Sequence, residues 1–177
     1  MTTTALATIN EALTTDAAEI VILCDCSGSM TEATPSGKRR YEVLRETLLS
    51  LAPKLLAQGG MRLYRFADRV RPMRSWDAEA FAGGDIGYGT NMAEALKKAR
   101  RHNPAHIILI TDGESNDHAA TLEMADTLFS KVDVYFCGDH TNTRAAGLCS
   151  ELTRYGGTCT VDPGGNNMLG AITLLLE

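Results

Sequence analysis

The sequence predicts an α/β fold: a doubly wound, mostly parallel central sheet of about six strands, one of them an antiparallel edge strand, with helices on both faces. Three observations predict it. Short runs rich in Val, Ile and Leu recur along the chain, continuously apolar in the way of strands buried on both faces. Segments with apolar residues at three- and four-residue steps lie between most of them. Small polar residues follow two of the runs at once, at the end where open α/β sheets bind ligands.

The strand runs are EIVILCD (19–25), GMRLYRF (60–66), AHIILITD (105–112), VDVYFCG (132–138) and TCTVD (158–162). A sixth strand follows from RLYRFADRVRPM, where two extended runs flank Ala67-Asp68 as in a hairpin. Pro72 cannot donate to a ladder, so this strand belongs at the edge. The first helix is RRYEVLRETLLSLAPKLLAQG, in which Val43, Leu44, Thr47, Leu48, Leu51 and Leu55 share a face and Gly59 suits the stop. Pro53 inside it predicts a kink or a break between two pieces. Helices are also expected over 90–102, 116–131, 141–157 and in the closing NNMLGAITLLLE.

Residues 1–18 are read as an N-terminal helical extension and 19–177 as a single domain. The start of the chain is too polar and acidic for a signal peptide, and no apolar run is long enough to span a bilayer. A cytoplasmic protein is expected. The five cysteines show neither CxxC spacing nor clustered histidines, so reduced thiols are expected in place of a disulfide framework or zinc site. The net charge of −5 is uneven, because residues 1–102 hold 14 of the 17 Lys and Arg. Arg62, Arg65, Arg69, Arg71 and Arg74 are read as a solvated, association-resistant edge, with a second contact surface as the alternative. An acidic protein with 6% aromatic residues makes a poor nucleic-acid binder.

Three polar segments converge on one sheet edge: Asp25-x-Ser27-x-Ser29, Gly89-Thr90, and Thr111-Asp112-Gly113. Two carboxylates and three hydroxyls are hard oxygen donors, suited to Mg²⁺ or Mn²⁺ with some waters kept. Taken singly, Asp25, Asp112, Thr90 or Asn91 could equally be helix caps.

In order and placement, D-x-S-G-S-M, then G-T, then T-D-G resembles the von Willebrand factor A domain, a Rossmann-like fold, and its metal-ion-dependent adhesion site. The resemblance runs from about Glu19 to the C-terminus. It implies that Ser27 and Ser29 ligate the metal through their hydroxyls, and that Thr90 ligates directly or through water. Asp25 and Asp112 would act mostly through water. A partner protein's Asp or Glu would take the open position, which makes the chain a metal-dependent adaptor or adhesion module and not an enzyme. Intracellular bacterial-type members imply partners such as AAA+ ATPases or stress-response complexes. Tyr88 stands where a small residue often precedes Gly-Thr, which bears on ligand size.

Other classes fit less well. A structural subunit with a merely structural cation is the main alternative. A haloacid dehalogenase-type phosphatase would need a second Asp where Ser27 stands. SGKRR lacks the glycine spacing of a phosphate-binding loop, and neither serine has the Gly-x-Ser-x-Gly frame of a hydrolase. His102, His106, His118 and His140 are not assigned ligand or catalytic roles.

Overall fold

A computed structural model of the chain describes residues 19–58, 60–73 and 87–177. The helical extension expected over 1–18, Gly59 and Arg74 lie outside the described residues. Six strands form one sheet: β1 (Ile20–Asp25), β2 (Met61–Phe66), β3 (Val70–Pro72), β4 (His106–Thr111), β5 (Lys131–Phe136) and β6 (Cys159–Val161). Their spatial order is β3-β2-β1-β4-β5-β6. Among the described residues only β3 is antiparallel, pairing Phe66 with Val70 and Tyr64 with Pro72. The proline strand is the edge, as its missing donor requires.

Among the described residues five α-helices complete the layers: α1 (Arg40–Gln58), α2 (Met92–Arg100), α3 (His118–Asp126), α4 (Thr143–Leu152) and α5 (Met168–Leu175). Successive strand residues face opposite sides, so each central strand feeds two cores. Ile22, Cys24, Ile108 and Ile110 pack with Leu44, Leu48, Leu51 and Leu55 of α1 and Ile172 of α5. Val21, Leu23, Ile107 and Leu109 pack with Met92 and Leu96 of α2 and Leu148 and Leu152 of α4. Each such aliphatic side chain contributes about 1.5–3 kcal/mol on burial. Among the described residues no helix is long and apolar enough to cross a membrane.

The structure departs from the sequence reading in four places. Of the kink or break expected at Pro53, the break is absent: helix α1 runs through it. Pro53 is exposed, so the ladder bond it cannot make is lost on the water-facing side, while Leu51 and Leu55 stay buried on either side of it. The helix expected over 116–131 ends at Asp126, because the chain must turn to let the Ser130 hydroxyl reach the Pro104 carbonyl at 2.6 Å. The helix expected over 141–157 ends at Leu152, since Arg154 forms an antiparallel bridge with Val132. Arg62 is not part of a solvated edge. It is 6% exposed, at a β2 position paired with Val21 of the central strand β1 and beyond the reach of the short β3. Arg69 and Arg71, next to and on β3, are exposed.

Candidate functional site

Asp25 ends β1, and Asp112 directly follows β4, the neighbouring strand. From β1 the chain proceeds to β2 on one side, and from β4 to β5 on the other. The two carboxylates therefore flank the point where strand order reverses, which is where open parallel sheets leave a crevice.

Local hydrogen bonds shape each loop. Asp25 Oδ1 accepts from the Ser27 amide at 2.9 Å, which turns the chain sharply after β1. A 3₁₀ turn follows over Gly28–Thr31, and it brings the Ser27 and Ser29 hydroxyls to 3.1 Å from each other. Met30 in the same turn is fully buried and anchors the loop from below. After β4, Thr111 Oγ1 donates to Asp25 Oδ2 at 2.6 Å and accepts from the Gly113 amide at 2.9 Å. Gly113 has φ +80°, and a Cβ there would lie 2.8 Å from the Phe136 ring, so glycine is required.

Three loops are cross-linked pairwise. The Thr111 hydroxyl joins the loop after β4 to Asp25. The Gly28 amide donates to the Tyr88 carbonyl at 2.9 Å, joining the serine loop to the segment that carries Thr90. The Thr90 amide donates to Asn116 Oδ1 at 2.9 Å and the Asn116 amide donates to the Thr90 carbonyl at 3.0 Å, closing the triangle. Asp68, in the β2–β3 turn, accepts from the Tyr88 amide at 3.1 Å. Asp25, Ser27, Thr90 and Asp112 are all buried, and Ser29 is half-buried. Asp25, Ser27, Ser29 and Asp112 thus lie on the two loops joined by Thr111, and Thr90 is tied to the loop after β4 through the backbone bonds of Asn116.

The capping alternative resolves residue by residue. Asn91, not Thr90, caps α2, accepting from the Glu94 amide. Asp117 and Asn142 cap α3 and α4 in the same way. Asp25 caps nothing; both of its oxygens serve the loops. The Tyr88 ring is 85% exposed, beside Gly28.

The electrostatics of the site are strained. Burial, then the nearby charge of Asp112, pushes the Asp25 carboxyl up to about 7, against the pull of hydrogen bonds from Ser27 and Thr111. Burial likewise raises Asp112, opposed by Ser29, the Glu114 amide and Arg40. Asp112 Oδ2 is buried without a hydrogen-bond donor. Its nearest cation is Arg40 Nη1 at 3.7 Å, beyond hydrogen-bonding range. Among the described residues no three His, Cys, Asp or Glu side chains cluster to hold a metal ion; what gathers here is two carboxylates with hydroxyls.

The histidines with structural partners are accounted for elsewhere. His102 stacks on Tyr64 and hydrogen-bonds its hydroxyl at 2.6 Å. His106 pairs with buried Asp133 at 2.6 Å.

No family model matches the sequence, and no curated protein does. Solved structures do. Manganese-loaded TRAP protein from Plasmodium vivax superposes with TM-score 0.58 at 18% identity, over 91% of this chain and 74% of that one. The fold is von Willebrand factor A-like. The PilB minor pilin from Streptococcus sanguinis gives TM-score 0.64 at 11% identity, over 90% of this chain and 61% of the pilin. Proximal thread matrix protein 1 from the mussel byssus gives 0.62 at 16%, over 90% and 46%. Identities this low establish likeness of fold alone. The present chain spans about half to three-quarters of these neighbours' lengths.

Within this von Willebrand factor A-like fold, four residues that hold the site escaped the sequence reading. Asn116 and Asp68 look like ordinary loop and turn residues, and their role exists only in three dimensions. Thr111 was visible in T-D-G but not as the lock on Asp25. Arg40 left a signal: it opens a helix, where a cation faces the positive end of the helix dipole.

Proposed function

We propose that the protein is a divalent-cation-dependent binding module that captures an acidic side chain of a partner protein. The observation that carries this reading is Asp112 Oδ2, a buried carboxylate oxygen without a hydrogen-bond donor, on a side chain that neighbours Ser29 and feels the charge of Asp25. Leaving such an oxygen unpaired is costly, and a hard cation would relieve the cost. Ser27, Ser29 and Thr90 would hold Mg²⁺ or Mn²⁺ through hydroxyls, with Asp25 and Asp112 acting mostly through water. The bound cation would supply a positive charge for an incoming carboxylate. The chain's own residues do the rest: Asp25 and Thr111 set the serine turn, and Asn116 holds Thr90 against the loop after β4. TRAP protein was crystallised manganese-loaded, which supports divalent-cation binding by such a fold.

The proposed role is binding, not turnover. The Ser27 hydroxyl pairs with Ser29, and among the described residues no histidine hydrogen-bonds to either serine. The five free thiols, four of them buried, accord with a reducing cytoplasmic setting, where an AAA+ ATPase or a stress-response complex is the proposed kind of partner.

The test is calorimetric titration of the protein with MgCl₂ and with MnCl₂, run in parallel on Ser27→Ala/Ser29→Ala. Binding by the parent and none by the variant is expected. Identical traces from the two proteins would remove the reading. Partner capture that survives EDTA and Thr90→Ala would favour a structural subunit instead.

A further inference from the structure

One side chain beside the oxygen cluster is poorly explained by the needs of the fold. Arg40 is the first residue of α1, where the helix dipole opposes it, and it is 8% exposed. Its Nη1 donates to the Ser29 carbonyl at 3.1 Å and to Glu32 Oε2 at 2.8 Å, and lies 3.7 Å from Asp112 Oδ2. Its Nε is buried without an acceptor. A desolvated guanidinium against a helix N-terminus with an unfilled donor is an expensive way to hold a loop. What the position does provide is a permanent positive charge next to Asp112, since arginine does not deprotonate in proteins. Glu32 differs in one respect: its side chain is 63% exposed, so its carboxylate counters Arg40 from the solvent side.

We propose that Arg40 and Glu32 form a charge regulator for the candidate cation site, Arg40 weakening divalent binding and Glu32 cancelling part of that effect. This rests on the cation reading of the site given above. A divalent ion entering beside Asp112 meets two carboxylates and, close by, a fixed cation that cannot move away without breaking its bond to Ser29. The chain alone therefore holds the ion loosely. A partner carboxylate adds the negative charge that Arg40 withholds, so the ion and the partner bind with positive coupling, each raising the affinity of the other by the same factor. Arg40 is buried, so added salt screens its field little. The Glu32 contribution, at the surface, is the salt-sensitive half.

Substituting the two members of one ion pair should then have opposite effects, an outcome that a purely structural ion pair does not produce. Calorimetric titration with MgCl₂ and MnCl₂ is run on the full chain, Arg40→Gln, Arg40→Lys and Glu32→Gln, with thermal melts to establish that each is folded. Arg40→Gln should bind the ion at least about tenfold more tightly, the factor that a doubly charged ion about 6 Å from a unit charge gives even at the dielectric of bulk water. Glu32→Gln should bind several-fold more weakly. Arg40→Lys, which keeps the charge, should stay near the parent. If Arg40→Gln fails to fold, Glu32→Gln decides: weaker binding supports the regulator, and unchanged or tighter binding overturns it. Both variants shifting in the same direction, or neither shifting, overturns it while leaving the cation reading intact. Absence of binding by the parent removes the cation reading itself, and the regulator with it.

Discussion

Replacing Asp112 by Asn separates the cost of the two buried carboxylates from their use. Asp25 is fully buried, and its carboxyl rises from 3.8 to about 7. That rise corresponds to about 4 kcal/mol against the ionised form at neutral pH. Burial is the larger cause and the charge of Asp112 the second, so Asp112→Asn should recover the smaller share, about 1–2 kcal/mol. For a chain of this length that is a gain of roughly 2–8 °C in melting temperature. The pH dependence fixes the sign. A carboxyl whose folded value lies above its unfolded value contributes fully below about pH 4, and the contribution is lost as pH rises to about 7. Circular-dichroism melts in EDTA should therefore show Asp112→Asn above the parent at pH 7 and the gap narrowing towards pH 4. With MgCl₂ at more than about thirty times the parent's Kd the order should reverse, because the parent gains from the ion and the variant loses part of its site. A variant that melts lower than the parent in EDTA at pH 7, or a gap that ignores pH, would refute the account of two carboxylates strained by burial and proximity.

Other expectations follow from the loop cross-links and the core. Gly89→Ala would place a Cβ 2.1 Å from Asp68 Oδ1 and 2.8 Å from Asn116 Nδ2. Urea titration should show a loss of about 1–3 kcal/mol, and Mg²⁺ binding should weaken with it. Asn116→Ala leaves the buried Thr90 amide without its 2.9 Å acceptor, which should cost about 1–3 kcal/mol in the same assay. Asp133 accepts from His106, Lys131 and Thr158 at the opposite end of the sheet. Burial alone would raise its carboxyl, but those bonds, Lys131 foremost, hold it below 3.8. Its contribution is present above that value and lost as pH falls through the lowered one, and Asp133→Ala should cost about 3–5 kcal/mol at neutral pH without altering cation binding. Phe66→Ala, at a fully buried position, should cost about 3–5 kcal/mol in thermal unfolding.

The layer architecture is legible in the residues alone. Short β-branched runs such as Ile107–Ile110, bounded by Pro104 and Gly113, read as strands covered on both faces, and the Pro72 strand reads as an edge. The sequence by itself also determined that Asp25, Ser27, Ser29, Thr90 and Asp112 end up at loop positions on one side of the sheet, since each lies at or just beyond the carboxyl end of a strand or just ahead of a helix. Tertiary structure decided what sequence periodicity cannot express. Arg62 is buried at a position paired with Val21 of the central strand β1, which a single run of residues does not reveal. Pro53 leaves α1 unbroken because the lost bond faces water while its neighbours on the buried stripe hold the helix to the sheet. Most of all, the couplings among Asp25 and Thr111, Thr90 and Asn116, and Arg40 and Asp112 join residues separated by 86, 26 and 72 positions. Whether such side chains meet depends on strand order and register, and these are set by the packing of the whole core.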